Sequence, residues 1–175
     1  MAATEPRHAP SEPAALPAAH DSRADARDLA APELTEAQHE ALAGFFAVAD
    51  GISTTLAADD LDQLRPYVAK LTQAAGVLTQ AFPDPHPWHT MMRQITTVSH
   101  WSAPATLEDA RKAFLPFSTN VVGLVQRLRS ESETFGTTKV FFCPMAPQPG
   151  LWFQAKGPLR NPFFGAQMLT CGEEV

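Results

Sequence analysis

The sequence predicts a mainly α-helical protein, an antiparallel four-helix bundle followed by a C-terminal β-hairpin and an irregular segment. Apolar residues recur at steps of three and four in four stretches between residues 36 and 128, a spacing that places them on one face of a helix. After Gly136 the pattern changes to short aromatic and β-branched runs separated by proline and glycine, which is typical of strands and turns. Four amphipathic helices joined by short links bury their apolar faces best in an up-down-up-down bundle.

The first 32 residues are predicted to be a disordered linker rich in alanine and proline. They contain no aromatic residue and show no amphipathic period, so they cannot bury enough apolar surface to offset the entropy lost on ordering. The folded domain is therefore expected to comprise residues 33–175.

The first two helices carry clear start signals. The first is expected to begin after Thr35, which can cap it while Gln38 reaches back to Thr35, and to run to about Leu56. The second is expected to begin after Asp60 and keeps its apolar period as far as Phe82. The proline-rich connector that follows ends this helix, because proline cannot continue one.

The third and fourth helices are expected to be separated by a proline as well. The third should run from Trp88 to about Trp101. The fourth should start at Thr106, which can cap it, and extend to Leu128. Pro116 lies inside the fourth helix and is expected to kink it.

Charge and hydropathy exclude several classes of partner. The net charge is -6 and the 13 Lys and Arg residues are scattered, so no basic patch for nucleic acid or an anionic membrane is expected. No apolar run approaches the roughly 20 residues that a membrane-spanning helix needs. The first residues lack a charged-then-apolar export signal, which is expected either of a cytoplasmic protein or of a fragment without its signal and upstream domains.

Both cysteines of the chain lie in the C-terminal segment, and each has a methionine close by. One residue separates Cys143 from Met145, and two separate Met168 from Cys171. In an extended strand residues i and i+2 face the same way, so Cys143 and Met145 are expected to present both sulfurs to one side. A turn at residues 161–165 could return the other two sulfurs to the same place. Thiolates with thioethers suit copper(I) or silver(I) and, less well, zinc.

Alternatives to this metal site remain open on spacing alone. The two cysteines could form a structural disulfide, with both methionines as packing residues. His100, at the end of the third helix, could complete a sulfur-rich site, or it could be a half-buried packing residue. A catalytic pair of Cys143 and His100 lacks an orienting third group and an oxyanion pocket, so the chain is not expected to be an enzyme.

A resemblance to a known family rests on four stretches, VFFCPMA at 140–146, LW at 151–152, NPFFG at 161–165 and MLTCGE at 168–173. They closely resemble a bacterial domain-of-unknown-function family that occurs alone in exported proteins and at the C-terminus of CusB-like adaptors of heavy-metal efflux (RND) pumps. Upstream, His100 with its neighbours resembles the family's His-containing helix. Arg111, Phe114 and Ser118 resemble its Arg-x-x-Phe-x-x-x-Ser helix.

The resemblance implies copper handling by Cys143, Met145, Met168 and Cys171, with His100 as the candidate ligand from a helix. It implies a periplasmic metallochaperone or sensor module that contributes to metal resistance. The expected partners are efflux pump components or a metallochaperone, and the domain is not expected to insert into the membrane. The N-terminal linker would then tether the domain to an upstream adaptor body and keep the site at high local concentration near the pump.

Overall fold

The computed structural model describes residues 33–131 and 135–175. Its four helices are α1 Glu36–Ala57, α2 Leu61–Ala81, α3 His89–Val98 and α4 Leu107–Glu131, and its strands are β1 Lys139–Phe142, β2 Leu151–Gln154 and β3 Glu173–Glu174. Within these ranges no helix is both long and apolar enough to cross a membrane. The predicted linker over residues 1–32 lies outside the described residues.

Helices α1, α2 and α4 begin at the caps that the sequence predicts. Thr35 Oγ1 accepts a hydrogen bond from the Gln38 N–H at 3.3 Å, and Gln38 Oε1 accepts one from the Thr35 N–H at 2.9 Å, which together form a capping box. Asp60 caps α2 through its side chain. Thr106 Oγ1 accepts a hydrogen bond from the Asp109 N–H in the first turn of α4.

The end of α3 differs from the prediction, and the structure tests only part of the prediction for Pro116 in α4. Helix α3 ends at Val98 rather than near Trp101, because the Trp101 N–H bonds to the Ser99 carbonyl instead of continuing the helical pattern. Helix α4 continues through Pro116, so this proline does not end the helix. The predicted kink at Pro116 stays a prediction.

The helices pack in sequence order, and the sheet lies between the first and the last. Helix α1 packs on α2, α2 on α3, and α3 on α4, whereas direct contacts between α1 and α4 are few. Strand β2 packs against both α4 and α1. The prediction of a mainly helical fold is therefore confirmed, and the C-terminal strands form a small antiparallel sheet, while the four-helix bundle as such is not confirmed.

The predicted hairpin forms, and a third strand joins it. Strands β1 and β2 pair antiparallel, with Phe141 opposite Trp152. Strand β3 pairs antiparallel with the other edge of β1, with Phe142 opposite Glu173, so the order in the sheet is β2-β1-β3. The sequence does not predict β3, and its pairing holds the residues after Cys171 beside the end of β1.

A chain of aromatic rings attaches the sheet to α4. Phe114 on α4 packs against Phe163 with ring centroids 5.4 Å apart. Phe163 lies edge-on to Trp152 at 6.0 Å, and Trp152 stacks on Phe141 at 5.4 Å. All four side chains are buried, so the ends of the strands, where the cysteines lie, are anchored in the core of the protein.

Candidate metal centre

The two cysteines lie side by side. Both are free thiols, and their Sγ atoms are 3.2 Å apart. Cys143 directly follows β1 and is fully buried. Cys171 is partly exposed, and a single residue, Gly172, separates it from β3. The pairing of β3 with β1 thus brings together two residues that are 28 positions apart in the chain.

The 3.2 Å separation of the two sulfurs is longer than the S–S distance in a disulfide and shorter than the distance between two sulfurs that share a metal ion. The sulfurs of a disulfide are about 2.05 Å apart. Two sulfurs bound to one tetrahedral metal ion at about 2.3 Å are about 3.8 Å apart. Movements of about 1 Å connect the pair to either state, so it is arranged for a shared metal ion or for a covalent bond, and the metal-bound separation is the nearer one.

A tight loop after β1 surrounds the Cys143 sulfur with hydrogen-bond donors. The Cys143 N–H bonds to the Gly150 carbonyl at 3.0 Å, and the Ala146 N–H bonds to the Cys143 carbonyl at 3.2 Å. Gly150 has a φ of 61°, and a Cβ there would lie 2.6 Å from the Cys143 carbonyl oxygen, so only glycine fits. The loop directs the N–H groups of Met145 and Ala146 at the Cys143 sulfur.

Asn161 connects both cysteines from the loop that precedes Met168. Its side chain is fully buried, donates to the Cys171 carbonyl at 2.7 Å and also hydrogen-bonds to Cys143. Its Oδ1 accepts from the Phe163 N–H at 2.8 Å. An amide side chain suits this position because it carries two donors and one acceptor group.

These hydrogen bonds make the two thiols chemically unequal. Burial raises the pKa of the Cys143 thiol, but the hydrogen bonds to its sulfur outweigh burial and hold the pKa below its ordinary value. The donors, in order of their effect, are the Cys171 thiol, the Met145 N–H, the Asn161 amide and the Ala146 N–H. The hydrogen bond to Cys143 raises the pKa of Cys171, as do burial and the charge on Cys143. The first proton lost therefore leaves a thiolate on Cys143.

A second polar group, centred on Arg111, holds the loop that carries Asn161. The Arg111 guanidinium donates to the Leu56 carbonyl at 2.9 Å and to the Pro162 carbonyl at 3.0 Å. It also forms an ion pair with Asp59, whose other carboxylate oxygen accepts from the Ala166 N–H at 2.8 Å. The end of α1, the first turns of α4 and this loop are thereby joined.

Asp59 occupies the position after the α1 C-cap that glycine usually takes. Its φ is 56°, its N–H bonds to the Leu56 carbonyl, and the Asp60 N–H bonds to the Thr55 carbonyl, which is the Schellman pattern. Aspartate enters this left-handed conformation more readily than most residues. The non-glycine residue thus gives the helix end a carboxylate that reaches the Arg111 group.

The two methionines do not share one side of a strand with the cysteines. The prediction that Cys143 and Met145 face the same way is wrong, because β1 ends one residue before Cys143 and the chain turns at Pro144, which has no N–H for a strand ladder. Cys143 is buried while Met145 is 64% exposed. Met168 is partly buried, and its carbonyl accepts from the Cys171 N–H at 3.0 Å.

His100 lies at the surface just after the end of α3. Helix α3 packs on α2 and α4, whereas the sheet packs on α4 and α1. The neighbouring Trp101 packs edge-on against Phe117 of α4 at 5.5 Å. His100 is therefore not the half-buried packing residue that was the alternative, and its role as a ligand stays a prediction.

Three residues that shape the site were not identified as functional from the sequence. Asn161 and Arg111 both stand in the stretches that carry the family resemblance, where the sequence itself indicates only a turn and a helix. Asp59 gives no local signal, because its partners, Arg111 and Ala166, lie 52 and 107 positions away. Contacts over such distances in the chain appear only in the folded structure.

Comparisons with protein-family models, with curated proteins and with solved structures find no match. The resemblance to the metal-efflux family therefore stays a prediction.

Proposed function

We propose that this chain is a soft-metal binding domain that captures copper(I) or silver(I) between the thiolates of Cys143 and Cys171. The observation that carries the proposal is the 3.2 Å contact of two free thiols, one of which is surrounded by hydrogen-bond donors. A ligand pair that the fold holds in place before the metal arrives avoids most of the entropy cost of assembling a site.

The donor atoms favour soft ions over zinc, magnesium or calcium. Thiolate ligands select copper(I) and related soft ions, whereas magnesium and calcium take oxygen ligands. A structural zinc site usually has four Cys, His or carboxylate ligands. Across residues 33–131 and 135–175, no group of three or more His, Cys, Asp or Glu side chains is placed to hold a metal. Zinc is therefore the less favoured ion.

The thioethers of Met145 and Met168 complete the proposed ligand set. The thiolates supply charge and affinity, while thioethers add soft, neutral donors that leave the metal transferable. Met145 is 64% exposed, so its side chain can reach an incoming ion and then swing toward the buried Cys143. His100 is the weakest member of the proposed set, because it lies at the end of a helix that packs away from the sheet.

The biological role follows from the family resemblance and is proposed on that basis. The domain acts as a metallochaperone or sensor module of a heavy-metal efflux adaptor in the periplasm, catalyses no reaction, and exchanges metal with pump components or another metallochaperone. The helices form an antiparallel bundle that braces the sheet and its cysteines. A linker over residues 1–32 tethers the domain to the adaptor body.

The proposal is tested by titrating reduced protein with copper(I) under anaerobic conditions against a chromophoric copper(I) chelator. The expected result is one tightly bound ion per chain. The variant with Cys143→Ser and Cys171→Ser is expected to bind at least about 100-fold more weakly, because loss of even outer-shell partners costs 10–100-fold. A double cysteine variant with unchanged affinity would remove the pair from the site.

The thioethers are tested separately with leucine, which keeps the apolar volume and removes the sulfur. Met145→Leu together with Met168→Leu is expected to weaken copper(I) binding about tenfold. Met91→Leu, on the part-buried side of α3, is the matched control and is expected to leave affinity unchanged. Equal affinities for the double variant and the control would exclude both thioethers.

The second candidate is a structural or protein-docking module with a Cys143–Cys171 disulfide and no metal. The same 3.2 Å contact favours it, since a shift of about 1 Å forms the bond. A thiol count on air-exposed, non-reduced protein separates the two. Two free thiols support the metal site, whereas no free thiols, together with reduced protein that binds no metal, support the structural module.

A further inference from the structure

We infer that the two cysteines also form a redox gate. A small disulfide oxidises the pair through Cys171, its exposed member, and the resulting Cys143–Cys171 bond closes the metal site. The order of oxidation stands on the geometry alone, whereas the closing of the site to metal rests on the proposed function.

Access to the two sulfurs is unequal. Cys143 has no exposed surface and lies under the loop that ends at Gly150, while Cys171 is partly exposed. Gly172, the residue after Cys171, packs tightly on its inner side. A Cβ there would lie 2.8 Å from Trp152 Cη2 and 2.9 Å from the Phe142 carbonyl oxygen, so no reagent can approach from that side. A reagent in solution therefore meets Cys171 first, from the outer side.

The backbones that carry both sulfurs are held in place. The Cys143 N–H is bonded to Gly150, the Cys171 carbonyl accepts from Asn161, and β3 is paired with β1 two residues after Cys171. The sulfurs need to approach by about 1 Å to form a disulfide. Because the second thiol is already in contact, closing the bond is an intramolecular step with a high effective concentration.

The chemistry is two thiol–disulfide exchanges with oxidised glutathione as the probe. The Cys171 thiol passes its proton to the Cys143 thiolate across their hydrogen bond, and the Cys171 sulfur attacks one sulfur of the probe, which breaks the probe's S–S bond, forms a mixed disulfide and releases one glutathione thiolate. Cys143 then loses its proton and attacks the Cys171 sulfur, which releases the second glutathione. Both glutathione thiolates take up protons, so two cysteine thiols are oxidised and one disulfide is reduced to two thiols.

Metal binding and oxidation exclude each other at this site. A bound ion uses the thiolate electron pairs that the exchange needs, and the disulfide has no thiolate left to bind a metal. We therefore expect metal to protect the pair from oxidation. Reduction is expected to restore metal binding.

The test follows oxidised glutathione reacting with full-length protein by intact mass and peptide mapping. Cys143→Ser is expected to accumulate a stable mixed disulfide on Cys171. Cys171→Ser is expected to react at least about tenfold more slowly at its buried thiol. If either variant fails to fold, mapping which thiol of the wild-type protein reacts first with a maleimide answers the same question. A saturating dose of silver(I) is expected to slow oxidation of the wild type.

The outcomes separate this inference from the proposed function. Equal rates at the two cysteines, or a wild-type protein that keeps the mixed disulfide without closing on Cys143, would overturn the order of oxidation. If reduced protein binds metal and silver(I) gives no protection, or if oxidised protein still binds copper(I), the gate is overturned while the metal site stands. If reduced protein binds no metal but Cys171 reacts first, the proposed function fails and the order of oxidation is supported.

Discussion

The helical region and the C-terminal region are built in different ways. Helices α1, α2 and α4 each begin at a cap formed by residues within three positions of each other, as at Thr35 and Gln38, and each buries one apolar stripe. The C-terminal region has strands of only four, four and two residues. It is positioned by hydrogen bonds between distant residues, such as Asp59 with Ala166. Local information thus produces the helices, and long-range polar contacts produce the site.

The largest expected effect comes from breaking the helical region alone. Leu71 is fully buried on α2, and Leu71→Ala is expected to lower the free energy of unfolding by about 3 kcal/mol through lost burial and a cavity. Below the unfolding transition, copper(I) affinity should be unchanged, because the contacts around the cysteines are made elsewhere. Urea unfolding and copper(I) titration measure the two quantities.

The exposed Lys70 on the same helix provides the control for Leu71→Ala. Lys70→Ala is expected to change the free energy of unfolding by no more than about 0.5 kcal/mol. If Leu71→Ala weakened copper(I) binding as well, the two regions would not be separable in the way that their contacts suggest.

A smaller loss of stability but a larger effect on the site is expected from Asn161→Leu. The change leaves the Cys171 carbonyl and the Phe163 N–H, both partners of Asn161, without hydrogen bonds, which we expect to cost about 2 kcal/mol in the free energy of unfolding. Copper(I) affinity should fall at least about tenfold, because the amide holds both cysteines.

The matched control for Asn161→Leu is the same substitution at Gln80, an exposed residue of α2. Gln80→Leu is expected to leave copper(I) affinity unchanged and stability within about 0.5 kcal/mol. Wild-type affinity in Asn161→Leu would show that the buried amide does not position the ligands.

The smallest effect should come from the ion pair that joins the regions, and it should depend on pH. Burial raises the pKa of Asp59, but the Ala166 N–H and Arg111 outweigh burial and hold the pKa below the usual 3.8. The ionised carboxylate therefore stabilises the fold above pH 3.8, and this contribution is lost as the pH falls through the folded-state pKa. Asp59→Asn keeps a residue that tolerates the left-handed conformation.

We expect Asp59→Asn to be less stable than the wild type at pH 7, with a difference that shrinks as the pH is lowered toward 3. Urea unfolding of both proteins across this range measures the difference. A gap in stability that stays constant with pH would mean that the charge of Asp59 does not hold the loop.

The contrast between the regions also explains which elements of the fold are predictable from the sequence. The capping box at Thr35, the start of α2 after Asp60 and the hairpin of β1 and β2 were predictable, because their signals lie within a few residues. Strand β3 was not, since two exposed residues carry no periodic pattern. The position of the sheet against α1 and α4, which contact each other directly at only a few places, depends on packing between distant segments.

The candidate site was predictable in its sulfur content and only partly in its geometry. Two thiols with nearby thioethers suggest soft-metal chemistry from residue type alone. The prediction that Met145 and Cys143 face the same way is wrong, because it requires a strand where Pro144 makes a turn. The roles of Asn161 and Arg111 could not be derived, since most of their partners are backbone groups that any residue would present, and Asp59, the ionic partner of Arg111, lies 52 positions away.

X-ray absorption at the copper edge of reduced protein loaded with one equivalent of copper(I) identifies the atoms that bind the metal. We expect a first coordination shell of at least two sulfur atoms at about 2.3 Å, which disappears when Cys143 and Cys171 are both replaced by serine. A shell of nitrogen and oxygen alone, or the same sulfur shell in the double serine variant, would contradict the proposed metal site.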